Sequence, residues 1–309
     1  MKTPFILAAW VIYGPLSAWG ALPLTESTFT EIIQEANVVT ATNQAGTPAK
    51  MSEIFKVPDL VRTGRASRVE LTARDQTITR VGANTTFTFA PGGRDILLKK
   101  GSVLFHSPAG VGGGAIKYRG SSAAVLGTTE IAAVLPDGRF KVIDLEGKVE
   151  VTLRNGQSVR LKPGQMVIVS ADGNAFSDVT NLNLGELASH LLLVMGFSNP
   201  LSSRSLIGAA IERQNQQIAA GDLAISMSWQ EGAQGYDSSH SALNDSSYYS
   251  HQIAPEWNPL DFPGVGPVGP TPGGPGGLPL LPVIVPQIVN PPRLTEVNPP
   301  HHKPGKRPR

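Results

Sequence analysis

The chain has 309 residues, 26 Lys/Arg against 24 Asp/Glu, a formal net charge of +2, and no cysteine. That length allows one or two domains, and the near-balance of charge gives no global field for nucleic acid. Without cysteine, disulfide stapling, thiolate catalysis, cysteine-bound metal and a lipoprotein anchor are all excluded, so an exported domain must rest on its own hydrophobic core.

Residues 1–20 read as a secretory signal peptide: Lys2, an apolar run from Phe5 to about Leu16 broken by Pro15, then small residues at Ala18 and Gly20. The run is short for a membrane span, and no later segment offers one. The expectation is an exported protein (periplasm, cell envelope or extracellular) with no transmembrane segment after signal cleavage. In 21–49, Phe29, Ile32, Ile33, Ala36 and Val39 recur at three- and four-residue spacing between Glu26, Glu31 and Glu35, which predicts a short docked helix. The β-branched Val38, Val39 and Thr40 alternatively enter a first strand. A loop follows to Pro48.

Residues 50–175 form the expected β domain. Short alternating runs fall at 69–73, 77–81, 86–89, 95–98, 102–107, 115–118, 123–126, 130–134, 139–144, 148–153, 158–161 and 165–170. Turn residues separate them, and Asn155-Gly156 between two alternating runs is a strong hairpin signal because both positions tolerate positive φ. A dozen short strands at nearly even spacing argue for a sandwich, barrel or solenoid. Leu98-x-x-Gly101-x-Val103, Leu145-x-Gly147-x-Val149 and Leu161-x-x-Gly164-x-Met166 form a faint repeat that suits either stacked coils or a plain meander. In the stretch from Val61 to Leu71, a strand and a glycine turn precede a second strand. On that strand Val69, Leu71 and Ala73 share one parity, while Arg68, Glu70, Thr72 and Arg74 form a wet face. Between residues 50 and 172 there are 18 Lys/Arg against 11 Asp/Glu, an excess that favours anionic partners or simply a solvated polar face.

Residues 176–221 change to helical spacing. Leu182, Leu184, Leu187, Leu191, Val194 and Met195 precede a break at Gly196 and Asn199-Pro200; a second stripe runs through Leu206, Ile207, Ala210, Ile211 and Ile218 to Gly221. An αα-hairpin packed on the β domain is predicted, since each apolar stripe needs a surface to cover. Residues 222–309 are a low-complexity tail holding 16 of the 26 prolines from Pro255 onward, predicted to be largely disordered. Its apolar stretch at 278–289 could dock as polyproline II, add a strand to a partner or act as a spacer.

No constellation for catalysis, metal or cofactor emerges. The six histidines are scattered, and His106 on a predicted strand reads as structural. The run Gly110-Val111-Gly112-Gly113-Gly114 lacks the Gly-Lys-Ser/Thr ending and a following helix, so it reads as a hairpin tip and not a phosphate loop. Asp144, Glu146 and Glu150 around Gly147 read as rim charges.

Several pieces in order resemble the FecR domain. Arg62-Thr63-Gly64 with Ser67-Arg68-Val69-Glu70-Leu71 is similar to its opening motif, and Gly82-Ala83-Asn84-Thr85 to its Gly-x-Asn-Thr segment. Leu98 to Gly101 and Val103 is similar to its Leu-x-x-Gly-x-Val step, Gly127-Thr128 to its central Gly-Thr, Leu145-Glu146-Gly147 to its Leu-Glu-Gly, and Lys162-Pro163-Gly164-Gln165 to its closing turn. These pieces cover about residues 50–170. Glu130 stands where the family usually has an aromatic, and Ile131 is expected to take that core position after a slip of one residue. The resemblance implies a mainly β, solenoid-like or sandwich module in which these motif residues are structural. It also implies kinship with the periplasmic part of an anti-sigma regulator that relays a siderophore-receptor signal. The expectation is therefore a free-standing exported protein that is not an enzyme and binds an envelope protein or an anionic glycan. The alternative is a periplasmic sensor acting through a separate membrane or sigma-factor system.

Overall fold

Side chains that alternate every second residue can bury one face only if strands pair and a second layer covers them. A computed structural model describes residues 22–125, 127–228 and 232 and shows that arrangement; the expected signal peptide and the tail from 233 onward lie outside the described residues. The described residues are mainly β, with 42% strand and 14% helix. In chain order the strands are β1 (Glu26–Ile33), β2 (Ala36–Val39), β3 (Thr47–Pro48), β4 (Ile54–Lys56), β5 (Leu60–Thr63), β6 (Arg68–Thr72), β7 (Ile78–Val81), β8 (Thr86–Phe89) and β9 (Asp95–His106). There follow β10 (Gly114–Tyr118), β11 (Ser121–Val125), β12 (Thr129–Val134), β13 (Phe140–Glu146), β14 (Val149–Thr152), β15 (Ser158–Leu161), β16 (Gln165–Val169) and β17 (Thr180–Asn181). Three helices close the described part: α1 (Leu184–His190), α2 (Leu192–Met195) and α3 (Arg204–Ala219).

Two sheets share β9. One runs β4-β1-β6-β7-β9-β12-β13-β16-β17 and the other β3-β2-β5-β8-β9-β10-β11-β14-β15. All neighbours are antiparallel except β9 and β10. From β5 onward the strand order rises with sequence in both sheets, because the chain lays a hairpin on one sheet and then crosses to the other. This progression resembles a solenoid, but each hairpin reverses direction, so no coil is completed and neither sheet closes on itself. The architecture is a sandwich of two open sheets.

The inner faces meet in a core that includes Val69, Leu71, Val103, Phe105, Val142 and Val167 from the first sheet and Val61, Ile96, Ile116, Ala123 and Val151 from the second. Four phenylalanines bridge the layers at one end, Phe29 and Phe55 against Phe87 and Phe89, with ring centroids 5.5 to 6.3 Å apart. A second cluster lies on the outer face of the first sheet. There Leu104, Ile131, Ala133, Ile143, Leu145 and Met166 are covered by Leu184, Leu187, Leu193, Leu201, Ile207 and Ile211 of the helical layer.

Residues 26–39 form strands and not the predicted helix. Phe29 pairs with Leu71 and Ile32 with Val69, and a register shift between Phe29 and Glu31 inserts one residue. A β-bulge of this kind turns a two-residue spacing into three and so imitates a helical period. The β domain thus starts at Glu26 and not at 50. Glycine-rich residues 110–114 are also not a hairpin tip: they carry the crossing from β9 to the parallel β10, where the Gly113 carbonyl accepts from Arg94 Nε at 2.6 Å.

Candidate functional site

The motif residues singled out from sequence gather where the chain crosses between sheets. Gly64 lies between β5 and β6, Gly82 between β7 and β8, Gly101 inside β9, Gly127 and Thr128 between β11 and β12, Gly147 between β13 and β14, and Gly164 between β15 and β16. At Gly101 φ is +83°, and a Cβ there would stand 2.1 Å from Thr85 Oγ1; at Gly147 φ is +95° and the Cβ would stand 2.2 Å from Thr128 Cγ2. Both need glycine for conformation and for space. Asn84, at φ +51°, supplies the left-handed residue of its corner. Successive corners are stitched together. Thr63 Oγ1 donates to the Gly82 carbonyl at 2.6 Å and accepts from Thr85 N at 2.9 Å, Asn84 N donates to the Gly64 carbonyl, and Ser102 N donates to Thr85 Oγ1 at 2.9 Å. Ser67 Oγ accepts from Glu35 N, and Arg62 reaches the Gln44 carbonyl at 2.7 Å. This end of the sandwich is occupied by its own polar contacts.

Of the expected wet face, Arg74 is exposed, but Arg68 and Glu70 are covered by the helical layer. Arg80, fully buried, pairs with Glu70 at 2.8 Å and donates to the carbonyls of Leu193, Val194 and Asn199, while Phe197 lies over its guanidinium at 4.3 Å. Arg68 Nε donates to the Gly196 carbonyl, and Glu31 accepts from Ser198. Together they fasten the loop between α2 and α3 to the sheet. His106 is buried as well, with its basicity lowered by burial. Its Nδ1 is 3.0 Å from Thr129 Oγ1, which lies 2.9 Å from Glu146 Oε1 and 2.8 Å from Ser203 Oγ. Hydroxyl, imidazole and carboxylate are all present, yet the carboxylate meets the hydroxyl and not the imidazole, and Ser203 seals the group under α3. This is the geometry of a latch for α3, not of a nucleophile and its base.

Two of the three acids read as rim charges are interior. Asp144 is 0% exposed and Glu146 5%, whereas Glu150 is at the surface beside Arg160. Glu130 and Asp144 are cross-strand partners on the inner face, and their four carboxylate oxygens have no hydrogen-bond partner among the described residues. Burial pushes the Asp144 carboxyl up to about 8, with Glu146 adding to the rise, and burial with the nearby Asp144 holds Glu130 well above the carboxylate range. Ile131 does not take over the inner position, because alternation sends it outward beneath the helices. Sequence reasoning missed this pair; the signal was a charged residue on the parity of Ala132 and Val142.

At the opposite end the hairpin tips converge. Arg119, Gly120, Arg154, Ala171, Asp172 and Asn174 line an open hollow of about 630 Å³. Its walls are the β10–β11 turn, the β14–β15 turn and the turn after β16, tied by Arg154 N donating to the Gly173 carbonyl at 3.0 Å. Arg119 stacks over the Tyr118 ring at 5.3 Å. Neither Arg119 nor Arg154 has a side-chain hydrogen bond or ion pair among the described residues. Asp172 is held in its own turn by Ser170 Oγ, Asn174 N and Asn174 Nδ2, which keep its carboxyl below the usual range. Among the described residues no group of three or more His, Asp or Glu converges as metal ligands, and no helix is long and apolar enough to cross a membrane.

A two-layered β sandwich with stacked glycine corners defines the class, and residues 59–150 match the model of the family described as FecR protein. This stretch, from just before β5 into β14, is a FecR domain. The turn at Lys162-Pro163-Gly164-Gln165 lies beyond it. The chain is also similar to two solved structures, each described as a candidate anti-sigma factor from Parabacteroides distasonis. One is 21% identical with a TM-score of 0.35, over 40% of this chain and 59% of that one. The other is 16% identical with a TM-score of 0.39, over 62% of this chain and 91% of that one. The chain thus spans less than two thirds of the first structure. No curated protein matches the sequence.

Proposed function

We propose that this chain is an exported, non-enzymatic FecR-domain protein that works by recognition in a regulatory, sensor-type role. The FecR match over residues 59–150 supports the regulatory part. One observation carries the recognition part: three hairpin turns hold Arg119 and Arg154 beside an exposed hollow, and neither guanidinium has a hydrogen bond or ion pair among the described residues. At the corner end the Thr63 and Thr85 hydroxyls are consumed by the fold. The partner is an envelope protein or an anionic glycan, and no nucleic acid is involved. The signal-peptide pattern of residues 1–20 supports export.

Deleting the gene and comparing transcripts tests the regulatory role. A shift in an envelope-transport gene set, reversed by the wild-type gene, is expected; an unchanged transcriptome sinks it. A scaffold is the second reading, favoured by the Pro-rich tail with its apolar stretch at 278–289. It predicts that partners captured from envelope extract depend on residues 255–309, and identical recoveries without them remove it.

A further inference from the structure

The β10–β11 hairpin makes an unusual choice at its tip. Tyr118 pairs with Ser121, so the turn has two central residues, Arg119 at φ +47° and Gly120 at φ +89°. Two positive φ angles define the type I′ turn, whose first central position favours Asn, Asp or Gly. A long β-unbranched cation there carries a left-handed conformation that asparagine adopts at lower cost. The side chain so placed stacks on Tyr118 and reaches the Gly138 turn, but it makes no hydrogen bond or ion pair among the described residues. An unfavourable backbone choice that presents an unspent cation to a hollow points to recognition.

The rest of the hollow states what is recognised. The Arg154 stem packs 3.1 Å from the position of a Cβ on Gly120, so the two arginines belong to one wall. Asp172 and Asn174 complete the lining, and the Asp172 carboxylate and the Asn174 amide oxygen have acceptor capacity beyond the bonds within their own turn. Beneath Gly173 the buried Ser121 hydroxyl has no partner among the described residues. A site for a bare oxyanion would not keep a carboxylate in its lining, because it repels the ligand. Two guanidiniums beside a carboxylate and an amide suit a ligand with an anionic group for the arginines and hydroxyls that donate to the acceptors.

We propose that the hollow formed by Arg119, Arg154, Asp172 and Asn174 binds a carboxylate-bearing sugar, as in a uronic-acid glycan: the arginines take the carboxylate, and Asp172 and Asn174 accept from its hydroxyls. This rests on the reading of the chain as a recognition protein. Loss of the glycan proposal would leave the transcriptional test of that reading intact, since a protein partner could still drive the response.

The test is calorimetric titration of the full-length protein with oligogalacturonate, a neutral galactan oligosaccharide and inorganic sulfate. Oligogalacturonate is expected to bind, and the other two to bind at least tenfold more weakly. Arg119→Asn should cut affinity at least tenfold while leaving the melting temperature unchanged or higher, because asparagine suits the turn; Arg154→Gln should cut it similarly. Asp172→Asn separates the chemistry from plain charge. It should weaken binding of the acid sugar, whereas a simple basic patch would bind more tightly once the carboxylate is gone. Absence of oligogalacturonate binding, equal affinity for sulfate, or tighter binding by Asp172→Asn would each overturn the proposal.

Discussion

Replacing Glu130 and Asp144 by Gln and Asn should remove a pH dependence that the wild-type fold carries in its core. Both carboxyls lie on the inner face with no partner among the described residues, and burial raises both. A folded-state value of about 8 for Asp144, against 3.8 for an ordinary aspartate, means that the folded protein holds a proton which the unfolded chain releases. The stabilising proton is fully present below the unfolded value, and its contribution is lost as pH rises toward the folded value. Between about pH 5 and pH 7 that single linkage amounts to roughly 3 kcal/mol, at about 1.4 kcal/mol per unit of displacement. Glu130, shifted in the same direction, adds to it. Urea denaturation of both proteins at the two pH values checks this. The stability difference, variant minus wild type, should rise by about 3 kcal/mol or more from pH 5 to pH 7. A difference that stays constant within about 1 kcal/mol would refute the assignment of buried, neutral acids.

The helical layer offers a second test. Arg80→Leu strands the Glu70 carboxylate and removes the donor to three carbonyls, which should cost about 3–5 kcal/mol in denaturation and speed amide exchange across residues 184–199 first. Two glycines with similar φ separate space from conformation. Gly101→Ala, whose Cβ would lie 2.5 Å from Thr85 Cα, should cost about 3 kcal/mol or more, while Gly156→Ala, with nothing within 4 Å, should cost only about 1 kcal/mol. Lys141 is buried with Nζ donating to the Gly232 carbonyl at 2.5 Å, and burial followed by repulsion from Arg139 lowers it to about 7. Below that pH the fold bears a buried charge, so Lys141→Met should stabilise by about 2 kcal/mol near pH 6, with the gain shrinking toward pH 10 in the same denaturation assay.

Strands from residue 69 to 170 were legible because turn residues bracket each run and alternation persists between them. Gly101 divides β9 into two runs in the sequence, and the structure joins them into one strand that serves both sheets. What misled was local pattern without its partners. The bulge in β1 imitated a helix, and charges on β6 looked solvated because the residues that bury them lie more than a hundred positions later, at 193–199. Asp144 and Glu146 looked peripheral because they flank a turn, and turns at a corner between two sheets are interior. The motif glycines were visible as a set, but their stacking along one end depends on cross-sheet neighbours. Arg119 and Arg154 were visible only as part of a local basic excess; the hollow that joins them is made by turns 35 residues apart in sequence.

Recognition at the tip end as the route to regulation is tested most directly by complementation. A strain lacking the gene would receive either the wild-type gene or the Arg119→Asn/Arg154→Gln double variant at matched protein level, and envelope-transport transcripts would be quantified. The wild type should restore the transcript profile, and the variant, folded and equally abundant, should not. Full restoration by the variant would contradict the account.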